Sequence, residues 1–448
     1  MKDISVFSLA ALLAPGQRLW LAAAVLLATL AVVVVRPRGL NVAWAAGVGA
    51  VVMLALGLLS PRSLTTIFGD TWDAAATLIA LFILSEALDA NGFFVWAARR
   101  LARLAGGSGW RLYALTLLLT TGVAALLAND GAVLMLTPIF AKLLAQIYPE
   151  ARLRLPFLFA AGFFADAMSG LFIPSNLTNI IIADAAHLNV LQSVAWTLLP
   201  TLAAFVVAGG AFALRFRARL NTRFDVAAVG DPDAAIRDHA VFWVGWVALG
   251  ALVVGYAIVG ALGLPVSLVA GVVALGMLAL VRARRLRTVR AAVTAAPWSV
   301  LIYAIGMFVV ITAAYRAGAL AIVVDPLRAG VAMSSGAPGA ISVGALAAAL
   351  AAAVNNLPAA LIGVLSLRAV GGIGAASHVA TYAIMLGVDI GPKLTPFGSL
   401  ATLLWLGILE RHGQHISWGL YLRENWWVTL LTLTAALAAL LIPYAIFG

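Results

Sequence analysis

The stretch Gly39-Leu40-Asn41-Val42-Ala43-Trp44-Ala45-Ala46-Gly47-Val48-Gly49-Ala50-Val51-Val52-Met53-Leu54-Ala55-Leu56 returns 224 residues later, as Gly263-Leu264-Pro265-Val266 running to Met277-Leu278-Ala279-Leu280. Without gaps, eleven of the eighteen positions are identical. Apolar sequence of low complexity produces some chance identity, so weight falls on whether the offset recurs. It does. Trp72 pairs with Trp298, Asp89-Ala90-Asn91-Gly92 resembles Arg316-Ala317-Gly318, Asn129-Asp130 falls opposite Asn355-Asn356, and Asp166 falls opposite Asp389. All five registers lie between offsets of 223 and 227, the pattern of an internal duplication.

The basic residues set the direction of each copy. Arg36 and Arg38 precede the first repeated segment, and Arg62, Asp70 and Asp73 follow it. The second segment follows an uncharged turn and leads into Arg282, Arg284, Arg285, Arg287 and Arg290. Basic ends of apolar spans face the cytoplasm. The copies therefore cross in opposite directions, as in many secondary transporters.

Composition agrees with a membrane protein. Of 448 residues, 64% are hydrophobic and 10% charged, whereas a soluble domain carries roughly 25% charged residues. The net charge of +11 is expected to lie in cytoplasmic loops and does not signal a nucleic-acid partner. There is no cysteine, which excludes disulfides and thiolate metal sites. His187, His239, His378, His412 and His415 are scattered, so no metal site is expected. The short apolar run Ile4–Ala14 has a weak basic flank and no processing site. It reads as an interfacial helix and not as a cleaved signal peptide.

The threading places spans near 18–35, 39–58 and 72–92, then a basic loop at Arg99, Arg100 and Arg103. A long apolar stretch at 111–146 carries Asn129 and Asp130 at its centre, between basic ends. It reads as a re-entrant hairpin entering from the cytoplasm. A broken span at 156–186 and a span at 192–214 complete the half. The second half gives spans at 240–260, 264–281 and 298–316, a hairpin at 339–370, a broken span at 376–409 and a last span at 426–446. This arrangement leaves 21 of 28 Lys and Arg on the cytoplasmic side. The expected fold is thus an all-α polytopic membrane protein of two inverted repeats. Each has about five spanning helices plus a re-entrant hairpin and one broken helix. Residues 1–216 form the first repeat, 217–239 a cytoplasmic linker and 240–448 the second repeat.

Backbone that leaves helical geometry within a bilayer must be satisfied by protein or by a wet cavity. Four places show the composition for this: the hairpin tips at Asn129-Asp130-Gly131 and Asn355-Asn356, and the two broken spans. The first broken span carries Asp166, Ser169, Gly170, Pro174, Ser175, Asn176, Thr178 and Asn179. The second carries Asp389, Gly391, Pro392, Lys393, Thr395, Pro396, Gly398, Ser399 and Thr402. Small uncharged donors and acceptors there (Asn129, Ser175, Asn176, Asn179, Asn355, Asn356, Ser399 and Thr402) suit a small polyhydroxy solute or cation. Asp130, Asp166, Asp389 and Lys393 fall at mid-membrane depth, where ionisable groups mark coupling sites. Asp389 and Lys393 are four residues apart, the spacing that pairs side chains along a helix. Asp130 has no basic neighbour in sequence and is the preferred proton carrier. Asp166 reads alternatively as a tie between the broken helix and its neighbours. Glu86 and Asp89 lie near a span end and read as solvated. No phosphate loop is present, since none of Lys2, Lys142 and Lys393 has a Gly-x-x-x-x-Gly-Lys-Ser/Thr context.

At these residues the chain resembles the ArsB arsenite and antimonite efflux family of the ion transporter superfamily. The resemblance runs through Leu127-Ala128-Asn129-Asp130-Gly131, Leu136-Thr137-Pro138-Ile139, Ala161-Gly162-Phe163, Ser175-Asn176-Leu177, Asn179-Ile180 and Asn355-Asn356-Leu357-Pro358. It continues in Asp389-Ile390-Gly391-Pro392-Lys393 and Thr395-Pro396, and its most specific stretch is Gly398-Ser399-Leu400-Ala401-Thr402-Leu403-Leu404-Trp405. It implies export of neutral trivalent arsenic or antimony hydroxides in exchange for protons, across the inner membrane, with no cofactor and no enzymatic activity in the chain itself. It also implies a scaffold with a moving transport unit, a cytoplasmic arsenite-stimulated ATPase subunit in some members, and homodimers across much of the superfamily. The competing expectations are a sodium-coupled dicarboxylate carrier and a sodium/proton antiporter with Asp130 and Asp166 as ligands.

Overall fold

The computed structural model describes residues 13–36, 40–333, 337–370 and 375–447, the side chains of 375–377 excepted. Most of the N-terminal run Ile4–Ala14 lies outside them. Among the described residues the chain is helical, with one isolated bridge between Ser108 and Arg223 and no strand. Ten helices among the described residues are long and apolar enough to cross a bilayer.

In the first half these elements are α1 (Pro15–Val35), α2 (Val42–Ala55), α3 (Arg62–Ala90), α4 (Phe93–Leu104), α5 (Gly109–Leu127), α6 (Asn129–Ile147), α7 (Ala151–Ala167), α8 (Leu177–Ala185) and α9 (Val190–Leu220). The second half follows with α10 (His239–Leu262), α11 (Val266–Ala283), the short α12 (Val289–Ala295), α13 (Trp298–Arg316), α14 (Ala321–Ala332), α15 (Ala337–Val354), α16 (Asn356–Ala369), α17 (Ala375–Ile390), α18 (Leu400–Arg411) and α19 (Trp418–Phe447).

One proline explains the single unmatched helix. The stretch before Trp72 is continuous helix in α3. The equivalent stretch before Trp298 holds Pro297, and Ala296 is extended there with ψ 146°. A proline pushes its preceding residue out of the α region. The chain therefore breaks into α12 and α13, and α3 corresponds to both.

Two readings of the sequence change. The segment at 39–58 forms only a 14-residue helix, ~21 Å long at 1.5 Å per residue and short of a ~30 Å hydrocarbon core. Gly57, at φ 72°, ends it with a tight left-handed turn. The basic loop at Arg99–Arg103 is instead part of α4. Phe93, Phe94, Ala97, Ala98 and Ala102 face inward at helical spacing, which leaves the arginines on the outer face. A further helix, α14, follows α13 in the interval that the threading left unassigned between the span at 298–316 and the hairpin at 339–370. The linker is also not loose. Asn91 Nδ2 donates to the Asp238 carbonyl at 3.0 Å, and the Asp238 N–H donates to Asn91 Oδ1 at 2.8 Å. Trp96 Nε1 reaches Asp233 at 3.1 Å, and the Phe224 N–H bonds the Gly107 carbonyl at 3.0 Å.

The packing exchanges partners between the halves. α2 packs on α13, α3 on α11, and α9 on α19. Close approach requires a missing side chain at Gly306, where a Cβ would stand 2.7 Å from the Ala46 carbonyl oxygen. Large apolar side chains such as Val206 (67% exposed) and Val272 (73%) point outward, while Asp166, Asn179, Asn355, Asp389 and Lys393 are buried. That inversion of the soluble pattern is what a lipid-facing surface requires.

Candidate functional site

Each hairpin tip is a single residue in a strained conformation. Ala128, between α5 and α6, has φ 70° and ψ 142°. Asn355, between α15 and α16, has φ 86° and ψ 154°. Non-glycine residues hold such angles only where the surroundings over-determine them. Asn355 is pinned by its own side chain, whose Oδ1 accepts from Tyr303 OH at 3.2 Å and whose Nδ2 donates to the Phe397 carbonyl at 3.0 Å. The matching angles make Ala128 the counterpart of Asn355, and hence Asn129 the counterpart of Asn356. The hairpin register is one residue off that read from sequence. Asp130 thus stands opposite Leu357, not Asn356.

The broken spans match without any shift. Asp166 and Asp389 are each the second-last residue of a helix, α7 and α17. Ten residues on, Asn176 and Ser399 cap α8 and α18, each accepting a backbone N–H from its own helix. These caps work across the molecule. Ser399 Oγ donates to Asp166 Oδ2 at 2.5 Å, and Asn176 Nδ2 donates to Asp389 Oδ1 at 2.9 Å. Each half's carboxylate is held by the cap of the other half.

The Asp166 carboxylate also accepts from Asn129 Nδ2 at 2.8 Å and lies 2.6 Å from Lys393 Nζ. Lys393 donates further to Thr402 Oγ1 at 2.8 Å and to the Gly162 carbonyl at 3.2 Å. The pairing of Lys393 with Asp389, suggested by their spacing, does not occur. α17 ends at Ile390 and the chain tightens into a 3-10 turn over Gly391–Leu394, so the four-residue stacking of an α-helix is lost. Asp389 is bonded instead by two neutral amides, Asn176 and Asn179, the latter at 2.8 Å. The Asp130 side chain is buried and makes no hydrogen bond or ion pair among the described residues. Glu86, read as solvated, is buried and ion-paired to Arg287.

The residues singled out in sequence thus form two linked clusters. One holds Asn129, Asp166, Lys393, Ser399 and Thr402; the other holds Asn176, Asn179 and Asp389. Ser169 joins them, donating to the Asp166 carbonyl at 2.7 Å and accepting from Asn176 at 3.3 Å. Ser175 turns inward on its own loop, to the carbonyls of Ser169 and Phe172. Asn355 serves the hairpin tip, while the Asn356 N–H bonds the Gly398 carbonyl at 2.8 Å. Four helix N-termini (α6, α8, α16 and α18) begin at these breaks and add partial positive charge. Sequence reasoning missed Tyr303 and Thr201. Thr201 was detectable as a polar residue beside Pro200 inside an apolar span.

A cavity of about 670 Å³ is lined among others by Asp70, Asp73, Asp184, Ile173, Ile181 and Arg368, and by none of the residues of the two clusters. Arg368, at the end of α16, pairs with Asp70 of α3 at 3.1 Å.

Paired helical breaks that bring buried carboxylates, amides and hydroxyls together define a helical membrane transporter. The YdaH transporter of Alcanivorax borkumensis, described as having an unusual topology, shares the fold at a TM-score of 0.52 and 16% identity, covering 85% of this chain and 87% of that one. The chain belongs to the ArsB family, arsenical pump membrane protein, whose sequence model matches residues 21–444. The arsenical pump membrane protein of Escherichia coli (strain K12) is 37% identical over 421 residues, 94% of this chain and 98% of that protein. A putative arsenical pump membrane protein of Bacillus subtilis (strain 168) is 27% identical over 432 residues, 90% and 95% respectively.

Proposed function

We propose that the chain exports trivalent arsenic and antimony hydroxides from the cytoplasm across the inner membrane in exchange for protons. The observation that carries this reading is the lining of the two clusters. Their polar groups are neutral amides and hydroxyls around carboxylates, and the one buried Lys or Arg among the described residues, Lys393, is already engaged by Asp166. Arsenous acid is neutral near pH 7 and resembles a small polyol, so it needs hydroxyl and amide partners and no cationic clamp. A dicarboxylate would need free positive charge, which disfavours that alternative.

In this reading the hairpins, the broken helices and α9 and α19 move as one unit. They move against a scaffold of α1–α3 and α10–α13, with α4 and α14 as connecting arms. The two halves are inverted copies, the loop 217–239 is cytoplasmic, and the cavity beside Asp70 and Arg368 opens to the outside. Asp130, with no bonding partner to satisfy, carries the proton. A cytoplasmic ATPase subunit and a homodimer are further expectations of the family.

The test uses everted membrane vesicles with an acidic lumen. Arsenite accumulation without ATP or sodium is the expected result. Sodium-dependent succinate uptake with no arsenite signal overturns the reading.

A further inference from the structure

The chain that leaves α9 folds back onto the turn between α4 and α5. The Gly109 N–H donates to the Thr222 carbonyl at 3.2 Å, and the Phe224 N–H donates to the Gly107 carbonyl at 3.0 Å. A Cβ on Gly109 would stand 2.5 Å from the Leu220 carbonyl oxygen, so the two segments meet backbone to backbone. Trp110 Nε1 donates to Asn221 Oδ1 at 2.6 Å and ties the first turn of α5 to the end of α9. A cavity of about 300 Å³ lies here, lined among others by Trp110, Arg111, Asn221 and Arg223.

The charge in this cavity is positive and unanswered. Among the described residues no Asp or Glu lines it, and the side chains of Arg111 and Arg223 make no ion pair or hydrogen bond. Other arginines of this half do find carboxylates. Arg215 lies 2.8 Å from Glu424, Arg152 2.6 Å from Glu150, and Arg103 3.5 Å from Asp231.

Position says where an anion for this cavity would come from. Both α5 and α9 are long and apolar enough to cross a bilayer, and the cavity lies where one begins and the other ends. The 31 residues of α9 extend ~46 Å at 1.5 Å per residue, beyond a ~30 Å hydrocarbon core, so its end reaches the headgroup layer. Tryptophan is enriched at that level. Further along each helix the same face turns apolar. Leu118, seven residues from Arg111, is 58% exposed, and Leu214, seven residues from Asn221, is 72% exposed. Seven residues make about two turns, so each leucine shares a helix face with a residue of the cavity.

We infer that this cavity binds the phosphate of an anionic phospholipid, whose acyl chains lie over Leu118 and Leu214. A free phosphate would engage the two guanidinium groups alone. A lipid engages the leucines as well, and the bilayer is therefore the source to which the geometry points. Basic pockets at the ends of membrane helices take such headgroups, each cation strengthening binding about fivefold. The site shares no residue with the Asp166 and Asp389 clusters, and the inference stands apart from the exchange reading.

The test uses the full chain, purified in detergent and stripped of lipid. Thermal unfolding is followed as phosphatidylglycerol, phosphatidylcholine or inorganic phosphate is added. A ligand of the folded state raises its stability by mass action. Phosphatidylglycerol should raise the unfolding temperature saturably, and the other two should not. Arg111→Gln and Arg223→Gln should each raise the half-saturating concentration about fivefold, and the double variant should raise it further. Neither side chain bonds within the described chain, so these variants should fold. Arg290→Gln removes an equal charge from the exposed surface of α12 and should respond like the wild type. An equal rise with phosphatidylcholine or inorganic phosphate overturns the inference, as does no rise at all. A wild-type response in the double variant, or an equal loss in Arg290→Gln, does so too.

Discussion

Lys393 Nζ lies 2.6 Å from Asp166 Oδ2, on the carboxylate of the opposite half. Both side chains are almost wholly enclosed. Removing one partner of a buried pair leaves the other charge stranded, which costs about 3–5 kcal/mol. Lys393→Met should therefore lower the unfolding temperature in detergent markedly. The double variant Lys393→Met with Asp166→Asn should recover most of that loss without recovering transport. Equal destabilisation of the single and double variants would show that the pair is not the source.

Asp130 has no partner to lose. Asp130→Asn keeps the side chain's shape and removes no ion pair, so the protein should fold and melt close to the wild type. Proton-driven arsenite accumulation in vesicles should nevertheless disappear. Full activity in this variant would move the proton elsewhere.

Asn176 and Asn356 should separate binding from architecture. Both alanine variants are expected to weaken arsenite affinity by up to about tenfold, the value of one hydrogen bond. Asn176→Ala also strips a donor from Asp389 and should cost about 1–3 kcal/mol of stability. The Asn356 Nδ2 amide makes no bond among the described residues, so Asn356→Ala should melt close to the wild type. Unchanged affinity in both variants would displace the proposed site.

Gly162 sits beneath an indole ring. A Cβ there would lie 2.5 Å from Trp405 Cε2. Gly162→Ala should cost about 1–3 kcal/mol, the range for overpacking. It should also disturb Lys393, which donates to the Gly162 carbonyl. The double variant with Trp405→Phe should recover part of the stability, and no recovery would place the strain elsewhere.

The four polar breaks were legible because Asn, Pro and charge are conspicuous against an apolar background. Pairing across the breaks was not. Spacing suggested Asp389 with Lys393, but that inference assumes a continuous helix, and a 3-10 turn intervenes. The hairpin register was hidden for a similar reason. It is set by a backbone angle at Ala128 and Asn355, and only one of those residues is of a type that advertises it. α4 was read as a loop because its arginines drew attention away from the five inward-facing apolar residues. Thr201 was passed over because one hydroxyl in an apolar helix is ordinary until its hydrogen bond is found missing.

The crossed caps also set a timetable for biosynthesis. Asn176 and Asp389 are 213 residues apart, and Asp166 and Ser399 are 233 apart. At ~5–20 residues per second, the ribosome needs on the order of 10–50 s to deliver the partners of Asp166 and Asn176. During that interval an emerging first half has only Asn129 for the Asp166 carboxylate and Ser169 for the Asn176 amide, and lacks the lysine that pairs with Asp166. It must wait in the insertion machinery, or in a water-filled crevice, until the second half arrives.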